Sequence, residues 1–128
     1  MNISDEIEQA FRQGLVQGNK DKGDRDQRIK QIAEHYGFSN QSNMLIEESA
    51  EYTQAVCKLR RGNPEAYENI KEELADVIIV AKQLRYLLGA DQIDKIIDSK
   101  LNRQIERMKS DETEDKFAEL VKEEMKCT

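Results

Sequence analysis

A Gly-Asn-Pro turn between two long helical patterns is the feature that most constrains the fold of this chain. Gly62 ends a pattern whose last turn is basic, and Asn63 and Pro64 are typical of the cap and first turn of a following helix. A helix that stops and restarts over so few residues folds back as an antiparallel hairpin. Residues equally far from Gly62 then lie at the same height in the two helices.

Acidic residues are placed symmetrically about this turn. Glu48 and Asp76 are each fourteen residues from Gly62. Glu51 and Glu73 are each eleven residues from it. Their spacings of three and four from apolar neighbours place all four acids on the stripes that face the core of the hairpin. We therefore expect four carboxylates to point inward together.

Inward carboxylates need positive charge close by, because burying them unpaired costs several kcal/mol each or forces them to bind protons. A hard divalent cation meets this need, and an all-oxygen ligand set favours Mg²⁺ or Mn²⁺. Salt bridges to Lys58, Lys82 or Arg85 are one alternative, and a wholly exposed acidic face is another. The single histidine is too few for a di-iron carboxylate bundle, and no histidine and cysteine cluster suits zinc.

The remaining segments are also helical in pattern, so the predicted fold class is all-α, an antiparallel helix bundle in a single domain over residues 1–128. A helical core at 25–109 follows an N-terminal helix and flexible loop at 1–24. A C-terminal amphipathic helix at 110–128 ends the chain. A small bundle often completes its core by oligomerising, so we expect at least a dimer.

Three signals divide this bundle into its helices. Gly37 is predicted to end one helix as a left-handed C-cap, and Ser39 to cap the helix that carries the first acids. The stretch 18–27 has no apolar residue and is predicted to be a mobile loop, with the first helix fading before it. A further break is predicted at Ser110–Thr113.

The charge and hydropathy of the chain argue against some classes of partner. A formal net charge of -6 disfavours binding to a nucleic acid polymer, which requires a basic surface. No apolar run is long enough to span a bilayer, and the N-terminus has no apolar segment of signal-peptide length. We therefore expect a cytoplasmic protein with no membrane partner.

Two segments of the hairpin resemble a known family. MLIEESAEYTQAV and IKEELADVIIVAKQL resemble the two metal-binding helices of the MazG-like, all-α nucleoside triphosphate pyrophosphohydrolases. The shared motifs are E-x-x-E at Glu48 and Glu51 and E-x-x-D at Glu73 and Asp76. DSKLNRQIER is similar to the family's following basic segment, and the resemblance covers residues 29–108. Met44 stands where relatives often have a basic residue.

The resemblance implies an enzyme that depends on Mg²⁺ or Mn²⁺. It would hydrolyse a nucleoside or deoxynucleoside triphosphate between the α and β phosphates, giving a monophosphate and pyrophosphate. The four motif acids would bind the metal ion. Glu47 and Glu72, beside the motif acids, would orient water or act as a base, and Glu48 is predicted to be catalytic as well as a ligand.

The substrate contacts are predicted from the same resemblance and from side-chain chemistry. Lys100, Arg103 and Arg107 are suited to bind phosphate oxygens, and Gln41 and Tyr52 are candidate nucleobase contacts. The family builds its pocket between subunits, which implies a homodimer or a tetramer. The alternative function is a catalytically inactive helical module that binds metal, nucleotide or another protein.

Overall fold

Helices make up nearly all of the described chain. The computed structural model describes the backbone of residues 3–126 and the side chains of that range except those of Phe11 and residues 13–21. Within these residues there are three helices and no strand: α1 (Ile3–Arg60), α2 (Ala66–Leu88) and α3 (Ala90–Lys126). The all-α fold class is confirmed. None of the described helices has both the length and the apolar composition needed to cross a membrane.

The helix α1 is broken at Gly37, which has φ 80° and ψ 173°. The predicted positive φ is confirmed, but ψ is extended and not the value of about +47° found in a left-handed helical cap. This combination of angles is essentially restricted to glycine, because any Cβ atom would clash with the adjacent backbone. Gly37 therefore lets residues 3–36 and 38–60 of α1 run in different directions.

The turn after α1 has the hydrogen bonds of a Schellman motif. The Gly62 amide donates to the Leu59 carbonyl at 3.0 Å, and the Asn63 amide donates to the Lys58 carbonyl at 3.2 Å. Gly62 has φ 95°, which this motif requires at its C′ position. The helix α2 then begins at Ala66, slightly later than Asn63 and Pro64 predict, because 64–65 form a tight turn.

Two polar contacts hold both parts of α1 against α2. Before Gly37, the Tyr86 hydroxyl of α2 donates to Glu34 Oε1. After Gly37, Gln41 Nε2 donates to Gln83 Oε1 at 2.5 Å in a buried pair. Gln41 and Gln83 are each twenty-one residues from Gly62, so residues 38–60 pair with α2 in the predicted antiparallel register.

The core between α1 and α2 is built of small and medium apolar residues. Alanine is the most common of them, which lets the helix axes approach closely. The buried apolar residues are Ile29, Ala33, Ala55, Ala66, Val80 and Leu84.

The chain divides after Leu88 into two compact units. Gly89, with φ 105°, separates α2 from α3. Within α3 no described residue is buried. Apolar residues that share one face of this helix are therefore exposed: Ile96, Ile97, Leu101 and Ile105.

The predicted loop at 18–27 is wrong, since the backbone there is helical and belongs to α1. A lack of apolar residues shows only that a stretch buries little. It does not prevent a helix, and most charged side chains are compatible with one. An ion pair between Arg28 Nε and Asp24 Oδ2, at 3.1 Å, joins successive turns at the end of this stretch.

The predicted break at Ser110–Thr113 is also wrong, because α3 continues through it. This segment contains neither glycine nor proline. The Thr113 hydroxyl donates to the Lys109 carbonyl at 2.9 Å, four residues earlier, so this side chain is accommodated within the helix.

Replacing Gly37 with alanine is expected to destabilise the fold by about 1–3 kcal/mol, because the new Cβ opposes the observed φ and ψ. Apart from the local backbone and the two neighbouring residues, no atom lies within 4 Å of the position that this Cβ would occupy, so the cost is one of backbone conformation alone. Urea denaturation followed by circular dichroism measures it. Gly23→Ala is the matched control, because Gly23 is helical and equally open. That variant should be more stable by up to about 1 kcal/mol, and the same sign for both would contradict the prediction.

Candidate metal centre

The four predicted acids come together between α1 and α2, and we call them the acid cluster. One carboxylate oxygen from each of Glu48, Glu73 and Asp76 lies within 4.8 Å of the other two. Glu51 lies within hydrogen-bonding reach of both Glu48 and Glu73. The hairpin register thus brings E-x-x-E and E-x-x-D onto facing turns.

The acid cluster lies at the edge of the core and is open to solvent on one side. Glu48 and Glu73 are half-buried, whereas Glu51 and Asp76 are exposed. The expectation that all four point inward is therefore correct for two of them only. The small and medium apolar residues of the core leave the outer pair uncovered.

Two oxygens of the cluster are buried without a partner. Glu48 Oε2 and Glu73 Oε2 are inaccessible to solvent and have no hydrogen bond among the described residues. A buried acceptor with no donor costs free energy, so such atoms are rare in folded proteins unless a ligand, water or ion satisfies them. These two atoms mark where a positively charged group would be most stabilising.

The electrostatic environment of the cluster opposes ionisation of the same two groups. Burial, followed by the charges of Asp76 and Glu51, raises the pKa of Glu48 above its usual value. Burial and a hydrogen bond with Glu51 raise the pKa of Glu73, and the neighbouring charge of Glu72 adds to this effect. Close carboxylates repel when all are ionised, so one of them tends to retain a proton in the absence of a cation.

Lysine and arginine are not among the main influences on the two half-buried acids of the cluster. The main influences on the pKa of Glu48 and Glu73 all raise it, whereas a close lysine or arginine would lower it. Lys82 lines a separate groove on the opposite face of α2. The alternative of a wholly exposed acidic face is excluded for Glu48 and Glu73 by their buried oxygens.

A pocket of about 550 Å³ lies on α1 between Gly37 and the acid cluster. We call it the amide pocket because it is lined by Asn40, Gln41 and Asn43, together with Tyr36, Met44 and Glu47. It contains two predicted site residues, Gln41 and Glu47. Gln41 is nevertheless 5% exposed and bonded to Gln83, so part of its hydrogen-bonding capacity already serves the fold.

The other predicted site residues are placed as follows. Glu72 is exposed beside Glu73, and Tyr52 is half-buried on α1. Lys100, Arg103 and Arg107 are exposed and, at spacings of three and four, share one face of α3. Their roles stay predictions.

Asn40 and Asn43 are pocket residues that the sequence interpretation missed. Asn40 also donates from its side chain to the Tyr36 carbonyl at 2.9 Å, across the break at Gly37. Their signal in the sequence is the run of amides between Gly37 and the first acids, which reads equally well as a solvated helix start.

Comparisons of the chain with models of protein families, with curated proteins and with solved structures found no match. A functional assignment must therefore come from the chemistry of the site. Its distinctive features are three convergent carboxylates with Glu51 beside them, two buried oxygens without partners and an amide-lined pocket.

The acid cluster should make the metal-free protein less stable at neutral pH than at acidic pH. Glu73 has a raised pKa in the folded state, so its contribution to stability is fully present below the unfolded pKa and is lost as the pH rises through the folded pKa. In EDTA, Glu73→Gln should raise the melting temperature at pH 7. The gain should vanish near pH 4, where the wild-type carboxyl is protonated.

Thermal unfolding followed by circular dichroism across this pH range checks the expectation. Glu106→Gln, at an exposed position of α3, is the matched control and should follow the wild-type profile. A Glu73→Gln protein that is less stable than wild type at pH 7 in EDTA would show that the carboxylate is stabilising, contrary to the pKa argument.

Proposed function

We propose that this chain is a Mg²⁺-dependent pyrophosphohydrolase of the MazG-like type, active as a homodimer. It converts a nucleoside or deoxynucleoside triphosphate to the monophosphate and pyrophosphate. The observation that carries the proposal is the convergence of three carboxylates from two antiparallel helices, with Glu51 beside them, and two of the oxygens are buried without partners. A site of this kind is incomplete without a cation.

The donor set and its size suit Mg²⁺ or Mn²⁺. All donors are oxygens, which hard cations prefer, and no thiol or imidazole belongs to the cluster of Glu48, Glu73 and Asp76. One oxygen from each of these three residues lies within 4.8 Å of the other two, so all three would be able to share one cation.

Glu48, Glu51, Glu73 and Asp76 would hold the cation. When bound, it supplies positive charge to phosphoryl oxygens and makes water a better nucleophile. Water adds to phosphorus, the bond to the oxygen bridging the α and β phosphates breaks, and a proton is released. Glu47 and Glu72 are the proposed acceptors of that proton or orienters of the water, because both are exposed and adjacent to a ligand.

The remaining contacts proposed for the substrate come from α1 and α3. Lys100, Arg103 and Arg107 would bind phosphate oxygens, the two arginines by paired hydrogen bonds. Gln41 and Tyr52 are the proposed nucleobase contacts, and the amide pocket offers the donors and acceptors that a base edge needs. A second subunit would complete the enclosure of the nucleotide.

Pyrophosphate release from a panel of ribonucleoside and deoxyribonucleoside triphosphates with Mg²⁺ tests the proposal directly. At least one nucleotide should be hydrolysed, and EDTA should abolish the reaction. Glu48→Gln and Asp76→Asn should each lower kcat/KM at least about 100-fold, as expected when a preorganised charge is removed from a site. Both should keep the helical circular dichroism signal, because relieving repulsion among the acids does not cost folding.

Two controls make the result interpretable. Glu106→Gln removes an exposed acid of α3 and should retain full activity. Calorimetry with Mg²⁺ and a nonhydrolysable nucleotide distinguishes the inactive-module alternative, in which nucleotide binds without dependence on Mg²⁺ or no divalent cation binds. A folded wild-type protein that hydrolyses none of the nucleotides would contradict the enzyme proposal.

A further inference from the structure

A groove with an apolar floor and a basic rim lies between α1 and α2, on the opposite side of α2 from the acid cluster. Its volume is about 450 Å³. Ile32, Ile78 and Ile79 supply much of the floor and are each about two-fifths exposed. Arg25, Arg28 and Lys82 supply the cations. We call this feature the basic groove.

The basic groove has a cationic side chain toward each of its two ends. Residues 25–32 of α1 and 75–82 of α2 line it, and further along the same direction Tyr86 reaches Glu34 and lies 5.7 Å from Lys30 Nζ. The two helical segments therefore run in the same direction. Arg25 accordingly lies toward one end of the groove and Lys82 toward the other. Seven residues of helix separate the ends, a distance of about 10 Å.

The C-terminal part of α3 has the complementary character, and we call residues 110–126 the acidic tail. It contains seven acidic residues and three lysines. Three of its apolar side chains, Phe117, Leu120 and Val121, share one helical face and are exposed. Phe117 is 69% exposed, and contact between so much of an aromatic ring and water is unfavourable.

Two acids of the tail lie on its apolar face. Glu114 is three residues before Phe117 and Glu124 is seven residues after it, so both share its side of the helix. A purely apolar groove would reject this face, because it would bury two unpaired carboxylates. A groove with cations at both ends accepts the apolar residues and the carboxylates together.

We propose that the acidic tail of a second copy of this chain docks in the basic groove. The tail is an amphipathic helix that carries the opposite charge to the groove. If the two copies exchange tails reciprocally, the contacts close into a two-fold dimer. This inference concerns residues outside the acid cluster and holds whether or not the protein is an enzyme.

Charge decides between this arrangement and direct pairing of two grooves. Groove-to-groove pairing would bring Arg25, Arg28 and Lys82 against their own copies, and juxtaposed like charges disfavour association. Asp24, already paired with Arg28, offsets only part of this charge. The acidic tail instead provides carboxylates where the groove has cations.

Sedimentation velocity on the full chain tests the proposal through paired variants. Phe117→Asp removes the central apolar contact of the tail. Ile79→Glu places a carboxylate in the groove floor, where it repels the acidic tail. Each alone should raise the dimer dissociation constant at least about tenfold, as loss of a central contact does. An equimolar mixture of the two variants should dimerise where neither does alone, because one groove and one tail remain intact in the mixed pair.

Ile46→Glu is the matched control, since Ile46 is an exposed isoleucine of α1 outside the groove, and it should leave the dissociation constant unchanged. A charge exchange provides a second, independent measurement. Arg25→Glu with Lys82→Glu should weaken the dimer, and adding Glu114→Lys with Glu124→Lys should restore it. Circular dichroism checks that each variant is folded.

Several outcomes would overturn the proposal. One is a wild-type chain that stays monomeric at about 100 µM, where even weak specific complexes form. Another is dissociation by Ile79→Glu with no effect of Phe117→Asp, which would indicate groove-to-groove pairing. The proposal would also be overturned by a mixture of the two variants that fails to dimerise, or by a charge exchange that fails to restore the dimer. A monomeric wild-type chain would also contradict the homodimer of the proposed function. The other outcomes concern only the tail and the groove, and pyrophosphate release is measured separately.

Discussion

The antiparallel register of α1 and α2 about Gly62 is the constraint on which the candidate site depends. The Schellman turn sets the starting height of both helices, and from there equal residue counts give equal heights. The buried Gln41–Gln83 pair is a second anchor of this register, far from the turn. Because the helices are anchored at the turn and at the Gln41–Gln83 pair, the acids between these two points have little freedom to shift along the helix axes.

The acid cluster exists at the expense of stability. Each of Glu48 and Glu73 is held where burial and neighbouring charge disfavour its ionised form. A chain selected only for stability would place an apolar or amide side chain at such positions, as it does at Ala55 and Gln83. The core nearby is firm enough to keep the carboxylates in place, while Glu51 and Asp76 remain accessible from solvent. That combination is typical of a site prepared for a charged ligand.

The parts predictable from sequence were those governed by local rules with strong residue preferences. Positive φ at Gly37 and Gly62, and the meeting of the four acids, follow from caps, helical period and counting. The helix through 18–27 was missed because absent apolar residues report on burial and not on backbone conformation. The exposure of Glu51 and Asp76 was missed because it depends on how far an alanine-rich core extends, which is a property of packing. The partner of Gln41 could have been found by extending the count from Gly62 to Gln83.

The paired counting about Gly62 also limits how such a chain can change over generations. One residue inserted between Glu51 and Gly62 would rotate both acids of α1 by about 100° relative to the turn and turn them away from α2. A compensating insertion in α2 would restore their height but not their facing direction. Substitution can therefore adjust the acid cluster gradually, whereas changes of length are tolerated only outside the segment between Gln41 and Gln83. Relatives of this chain should be recognisable by a conserved spacing even where few residues are shared.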